Sequence, residues 1–321
     1  MKIAIYVPSY QFRYTYIIKE LNKLFKLNDK DKQVDMFIVL SKNDLNKSSY
    51  YNLKVNNELD SNIHILEFDV KSIAEKRQCM HEYLYKHGYD YAIHMDDDVN
   101  KFAKIIPESK RSTSESYAQI KIDVVEFLSH LIDETLKNNA SFASTILTFN
   151  LGLSYPGAIK INRGLNCGQL TMINIKDIIE NNIKFCYYEF IHEDIELVIN
   201  ILQKGLKCIT LADYGFNTVP KSQHGLNSTI SEVDNGYKFK CNLYIKYRDN
   251  IRLFINKKYG DLRASIKFNK FYCTEHINII DDEYHNKLYE LCKKYDNDSI
   301  LKLIQKSKKK NIKNKMKIFY L

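Results

Sequence analysis

The sequence predicts an α/β fold: a doubly wound, mostly parallel sheet with helices on both faces, then a basic, mainly helical C-terminal region. Three observations lead there. Short apolar runs alternate with stretches of helical period as far as about residue 230, the pattern of strands joined by crossover helices. One run ends in three consecutive aspartates, Asp96-Asp97-Asp98, and the carboxyl edge of an open α/β sheet is where such folds bind ligands. From Lys238 the composition turns Lys- and Tyr-rich.

Lys2 to Val7 is an apolar run closed by Pro8-Ser9, a strand entering a loop. Ile17, Ile18, Leu21, Leu24 and Phe25 give Tyr16–Leu27 one apolar helical face. Met36–Leu40 and Ile63–Phe68 read as strands, and Ser72–His87 as a helix stopped by Gly88. Tyr91–Met95 is a strand running straight into the aspartates. Lys101–Tyr117 is polar, with Pro107 and a Ser/Thr cluster, and is predicted to be a loop. Lys121–Lys137 is predicted helical, and Ser141–Phe149, Gln169–Ile173 and Lys207–Leu211 are predicted strands. Between the last two, Glu193–Lys204 aligns Ile195, Val198, Ile201 and Leu202 on one helical face and stops at Gly205. Helices are predicted again at Asn242–Lys258 and Asp282–Ser307, and no internal repeat is visible.

A chain of 321 residues, 45% hydrophobic, has room for one large α/β domain and a smaller appendage. At 27% charged residues it is not globally disordered. The opening MKIAIYVPSY does not read as a signal peptide, since its apolar stretch is short and meets Pro8. The longest uncharged stretch, Ala140–Ile159, contains serines, threonines and Pro156, unlike a membrane span. Seven cysteines, an odd number with no C-x-x-C pair, fit reduced thiols and a cytoplasmic setting. Charge divides the chain. Residues 238–321 hold 21 Lys+Arg against 9 Asp+Glu, or +12; residues 1–237 hold 27 against 30, or −3; the sum is +9. The expected domains are therefore 1–237 and 238–321, the second suited to a polyanionic partner or surface.

Alternation along a strand would turn Asp96 and Asp98 to one side and Asp97 to the other. Two convergent carboxylates are hard oxygen ligands for Mg2+ or Mn2+, although an acidic triplet is also a common solvated turn. Glu193-Asp194, after His192, opens a helix. Acidic residues there complement the helix dipole, and one of the pair could serve as a general base.

Together and in order, VPSYQFR, AEKRQCMHEYLYKHG before YAIHMDDDV, and HEDIELVINILQKG resemble nucleotide-sugar glycosyltransferases of GT-A fold over about residues 1–230. In that family a D-x-D element after a strand holds metal and donor, and an E-D pair opens a helix of pattern ED-x-x-L-x-x-x-L-x-x-x-G. Here Leu197 and Gly205 match, with Ile201 between them. The resemblance implies that Pro8, Ser9, Tyr10 and Arg13 receive the nucleotide, and that Lys76 and Arg77 face it or its phosphates. It implies Asp96 near the ribose or a metal-bound water, Asp98 as direct metal ligand and His224 as a further metal or diphosphate ligand. Asp194, with Glu193 beside it, would be the catalytic base of an inverting enzyme.

PSY-x-x-R, D-D-D-V and H-E-D-I-E-L are similar, more narrowly, to phage DNA-base glycosyltransferases associated with TET/JBP oxygenases, which glycosylate 5-hydroxymethylated pyrimidines. The expected reaction is metal-dependent transfer from an NDP-sugar, with DNA as preferred acceptor. Interleaved Lys238, Lys240, Lys246, Arg248, Arg252, Lys257, Lys258, Arg263, Lys267 and Lys270 with Tyr237, Phe239, Tyr244, Tyr247 and Phe254 suit phosphate contact and base stacking. A solvated Lys-rich helical cap would have the same composition. Two alternatives stand beside the DNA acceptor. One is a cell-envelope transferase acting on glycan, lipid or protein at an anionic membrane surface. The other is an inactive transferase scaffold used to bind DNA.

Overall fold

The structure is a computed structural model; it describes residues 1–9, 15–107, 117–147, 159–185, 193–218, 247, 250–255 and 262–273. The strands of the first compact unit are β1 (Lys2–Pro8), β2 (Gln33–Ser41), β3 (His64–Phe68), β4 (Tyr91–Met95), β5 (Val99–Pro107), β6 (Tyr117–Ile122), β7 (Phe142–Leu147), β8 (Ile159–Ile161), β9 (Leu170–Asn174) and β10 (Cys208–Thr218). Its helices are α1 (Tyr16–Glu20), α2 (Lys47–Val55), α3 (Ile73–Lys86), α4 (Val124–Lys137), α5 (Ile175–Glu180) and α6 (Glu193–Gln203).

The strands form one ten-stranded sheet in the order β3-β2-β1-β4-β9-β7-β10-β5-β6, with β8 on β10. β1 to β4 pair in parallel; β9 runs against β4 and β7, and β5 against β10 and β6. β1–β4, β6, β7 and β10 thus run one way and β5, β8 and β9 the other, a mostly parallel mixed sheet. In β1, Ile3, Ile5 and Val7 pack on the face shared with α1, α2 and α4. Ala4 and Tyr6 pack on the opposite face with Met80 and Leu84 of α3 and Ile175 of α5. Burial on both faces is why β1 is an unbroken apolar run.

The predicted strands and helices of the first 100 residues appear with small shifts, except that the Tyr16–Leu27 helix is α1 tightening into a 3-10 helix over Leu21–Leu27. α2, α5 and β8 had no counterpart in the sequence reading. The predicted Lys101–Tyr117 loop is instead strand on either side of residues 108–116, with Phe102 opposite Ile122 in the β5–β6 ladder. Exposed Lys101 and Lys104 interrupt the apolar sequence there, while Val99, Phe102 and Ile105 are buried.

The first compact unit comprises Met1–Ser222 with Tyr272–Thr274, and the second comprises Gln223–Phe271 with Glu275–Leu321. In the second, β11 (Ile251–Ile255) pairs antiparallel with β12 (Leu262–Ile266), and the Tyr247 ring stands edge-on to Phe271 at 5.2 Å. Residues 251–255 are therefore strand where a helix over Asn242–Lys258 was expected. Ile251, Leu253 and Ile255 alternate with period two, and a partner strand decides in favour of that period. The Asp282–Ser307 helix lies outside the described residues. No helix among the described residues is long and apolar enough to cross a membrane.

In the order β3-β2-β1-β4, the chain first builds outward from one side of β1 and then returns to add β4 on the other. The carboxyl ends of β1 and β4 flank that topological switch point, where an open sheet leaves a crevice. α3 delivers Lys76 and Arg77 there from its second turn. Its start is set by a capping box: Ser72 Oγ accepts from Glu75 N at 3.1 Å, and Glu75 Oε2 accepts from Ser72 N at 3.1 Å. Ser72→Ala should cost about 1 kcal/mol, read as a lower denaturation midpoint with unchanged m-value.

Candidate active site

Ser9 is the first residue past β1 and is 2% exposed. Its N–H donates to Val39 O at 3.0 Å, and its carbonyl accepts from Lys76 Nζ at 2.8 Å. Its hydroxyl donates to Asp97 Oδ2 at 2.7 Å. Ser9 Oγ and Tyr50 OH are 2.6 Å apart; since the Ser9 proton is committed to a carboxylate that can only accept, Tyr50 donates in that bond. Ser9 therefore clamps β1, α2, α3 and the aspartate turn together. Burial pulls the Lys76 ammonium down to about 8, against the opposing pull of Asp44 and Asp97. Pro8 is buried in the last β1–β2 pair, opposite Val39.

Asp96-Asp97-Asp98 is a turn, not a strand continuation, closed by Val99 N–H on Asp96 O at 3.1 Å and tied to the start of β9 by Asp96 N–H on Gln169 O at 2.7 Å. Asp97 is buried toward Ser9, and Asp96 and Asp98 are half-buried. Asp96 Oδ1 receives Arg77 NH2 at 3.0 Å and lies 2.8 Å from His94 Nε2. Burial alone would raise the Asp96 pKa, but His94 and Arg77 outweigh it and hold the carboxyl at about 2. Its Oδ2 accepts no hydrogen bond among the described residues. An ionised carboxylate with an uncommitted oxygen, two positions from a second carboxylate, fits Mg2+ or Mn2+, which take one or two carboxylates and complete their shell with phosphate oxygens and water. No group of three or more His, Cys, Asp or Glu that could hold a metal occurs among the described residues.

Arg77 joins this turn to α6. One guanidinium nitrogen, NH2, binds Asp96 and the other, NH1, forms a short hydrogen bond to Glu193 Oε1. The Arg77 and Glu193 side chains are each 6% exposed. Burial works against the Arg77 charge, yet Glu193, Asp96 and Asp194 together raise its pKa above the usual value. Burial pushes Glu193 up to about 7, more than Arg77 draws it down, with Asp194 and Asp96 adding to the rise. Asp194 Oδ1 accepts the N–H of Ile195 at 2.9 Å; its Oδ2 accepts no hydrogen bond among the described residues.

The structure thus brings together Ser9, Lys76, Arg77, Asp96, Asp98, Glu193 and Asp194 from the predicted set. Lys76 and Arg77 are engaged within the protein, one by a carbonyl and one by two carboxylates. Tyr10, Arg13, His192 and His224 lie outside the described residues. Sequence reasoning missed Tyr50 and the role of Asp97, and it missed the buried histidines. His81 Nε2 lies 3.2 Å from Tyr6 OH, and burial, His94 and Arg77 lower its pKa to about 3. Burial and Arg77 also lower His94, Asp96 opposing. The only signal was a histidine in YAIHMDDDV two positions before the first aspartate.

Residues 4–225 match the family described as TET-Associated Glycosyltransferase. No curated protein matches the sequence. Among solved structures, the chain is similar to TarS 1–349 of S. aureus, at 14% identity, over 76% of this chain and 65% of that one, with a TM-score of 0.48. It is also similar to the mannosyltransferase PcManGT from Pyrobaculum calidifontis in complex with GDP-Man and Mn2+, at 11% identity, over 76% and 64% of the two chains, with a TM-score of 0.48. The chain spans less than two thirds of the length of each, and 39% of the longer TarS chain.

Two outcomes follow from the buried charges. Arg77→Ala strands two carboxylates and should lower stability by about 3–5 kcal/mol in denaturant titration; Arg77→Ala with Glu193→Gln should recover part of the loss. A carboxyl whose folded pKa lies above its unfolded value favours folding only while protonated. The Glu193 contribution is therefore fully present below pH 4.5 and is lost as pH rises through about 7. Glu193→Gln should flatten the fall in stability across that window, measured by denaturation at a series of pH values.

Proposed function

This chain belongs to the TET-associated glycosyltransferase family, and on that premise we propose that it moves a sugar from a nucleotide-sugar donor to the hydroxymethyl group of a modified pyrimidine in DNA. The observation that carries the reading is the bridge at Arg77. One guanidinium holds Asp96, whose Oδ2 is clear of hydrogen bonds among the described residues and suits a cation on the donor diphosphate, and Glu193, whose neighbour Asp194 has an Oδ2 equally clear among those residues and suited to an acceptor hydroxyl. Arg77 thereby links the proposed metal ligand to the first turn of the helix that carries the proposed base.

Asp96 and Asp98 would hold Mg2+ or Mn2+, which when bound neutralises charge building on the departing diphosphate. In a direct displacement, Asp194 Oδ2 takes the proton from the acceptor hydroxyl as that oxygen bonds the anomeric carbon. The anomeric carbon–phosphate oxygen bond breaks and the nucleoside diphosphate leaves. Pro8 and Ser9 are assigned to the nucleotide side of the crevice, with Tyr10 and Arg13 next in sequence. Lys76 and Arg77 serve by positioning: Lys76 fixes the Ser9 carbonyl, and Arg77 orients both carboxylates. His224 is proposed as an additional ligand of the metal or diphosphate. A base inside a duplex would have to be flipped out to reach Asp194.

The +12 carried by residues 238–321, beside −3 in residues 1–237, supports a polyanionic acceptor, as neutralised phosphates release counterions and favour binding. Nucleoside mass spectrometry tests this reading after incubating hydroxymethylated DNA with a panel of NDP-sugars. A gain of one sugar mass is expected with Mg2+ or Mn2+, and loss of that product is expected in excess EDTA and in Asp98→Asn. Transfer to vesicle lipids or envelope glycans, with DNA untouched, would overturn the acceptor assignment; full turnover in EDTA would overturn the metal.

A further inference from the structure

Gly168 sits in the segment between β8 and β9, and its backbone needs no glycine: no left-handed φ occurs there. What it lacks is room. A Cβ built on it would lie 2.8 Å from Asp194 Oδ2. The obstructing atom is the far end of a side chain, so the conflict is relieved by moving the carboxylate and not the fold. Reaching ordinary contact at 3.4 Å would displace Asp194 Oδ2 by at least 0.6 Å.

The stretch just before Gly168 is tied down by a chain of hydrogen bonds, and just after it Gln169 O accepts the Asp96 N–H at 2.7 Å. The Asn166 N–H donates to Ser144 Oγ at 3.3 Å, and the Thr210 hydroxyl donates to Arg163 O at 3.4 Å. Ser144 Oγ and Thr210 Oγ1 are 3.2 Å apart and fully buried. With the Thr210 proton already given to a carbonyl, Ser144 donates across that gap. The relay runs Asn166 to Ser144 to Thr210 to Arg163 and ties both ends of a four-residue stretch to β7 and β10, strands paired through Ser144 and Thr210 themselves. Asn162 and Cys208 add two bonds at 2.9 Å each, the Asn162 N–H donating to Cys208 O and the Cys208 N–H to Asn162 Oδ1.

We propose that Gly168, flanked by the stretch that the Ser144–Thr210 relay ties down and by the Asp96–Gln169 bond, is a positioning residue for Asp194, so that the missing side chain lets the Asp194 carboxylate reach the acceptor hydroxyl. The proposal rests on the reading of Asp194 as the base. Misplacing a reacting group by about 1 Å can cost about 10²-fold in rate. Gly168→Ala should therefore lower kcat by about that factor while the donor KM and the melting temperature stay put. Ser144→Ala should lower kcat in the same sense, with a smaller change.

The decisive comparison is Gly168→Ala in wild type and in Asp194→Asn, followed by sensitive product detection. If Gly168 acts through Asp194, the alanine adds no further loss once the base is gone. An equal loss in both backgrounds, or wild-type kcat in Gly168→Ala, would overturn the proposal. Full turnover in Asp194→Asn alone would instead remove the base assignment, a different failure read from a different protein.

Discussion

A guanidinium that is almost wholly out of water must be matched by negative charge, and this requirement organises the site around Arg77. Isolated in a low-dielectric interior its charge would be untenable; with Asp96 on one nitrogen and Glu193 on another it is held more firmly than an exposed arginine. The match couples three elements: α3, the turn after β4 and the first turn of α6. The two carboxylates on this cation differ: burial pushes Glu193 up to about 7, while His94 and Arg77 hold Asp96 at about 2 against its burial. The Asp96 carboxyl is thus held toward its anion, and that of Glu193 toward its protonated form.

Around that centre, polar side chains divide by what remains of their bonding capacity. Ser9, Lys76 and Asp97 spend theirs inside the protein, closing the crevice wall between β1 and β4. His94 and Tyr6 occupy opposed positions on β4 and β1 beneath the turn, their rings 5.3 Å apart. Asp96 and Asp194 each keep one oxygen clear of hydrogen bonds among the described residues. Walls tied by so many buried hydrogen bonds are rigid, the arrangement that makes small displacements consequential.

The same strand row continues across the sheet. Tyr6 faces His94, His94 faces Thr171, Thr171 faces Ser144 and Ser144 faces Thr210. Each is buried, so five neighbouring strands contribute a polar row on the face opposite Ile5, Ile93, Met172 and Ile209. Tyr6, Ser144 and Thr210 of this row find partners in α3 and in the segment before β9, through His81, Asn166 and Arg163, and His94 lies beside Asp96. The sheet supplies a polar floor where most sheets would supply apolar packing.

Elements whose signals are local were legible without coordinates. β1 and β4 announce themselves as apolar runs, α3 by its capping residues and Gly88, and α6 by its apolar stripe; the aspartate turn and Glu193-Asp194 followed as chemistry at the ends of those elements. β5 and the strand at 251–255 were misread because hydrogen bonding to a partner strand, not local period, decides them. The partners of the predicted residues were not legible at all. Tyr50 lies 41 positions from Ser9, and Glu193 lies 116 from Arg77, so no spacing rule connects them. The sequence by itself singled out the candidate side chains and placed the aspartates at the carboxyl end of a strand. Only the tertiary structure decided which of their atoms are spent on holding the site and which stay free, because that depends on hydrogen bonds between residues distant in the chain and on the space that Gly168 leaves open.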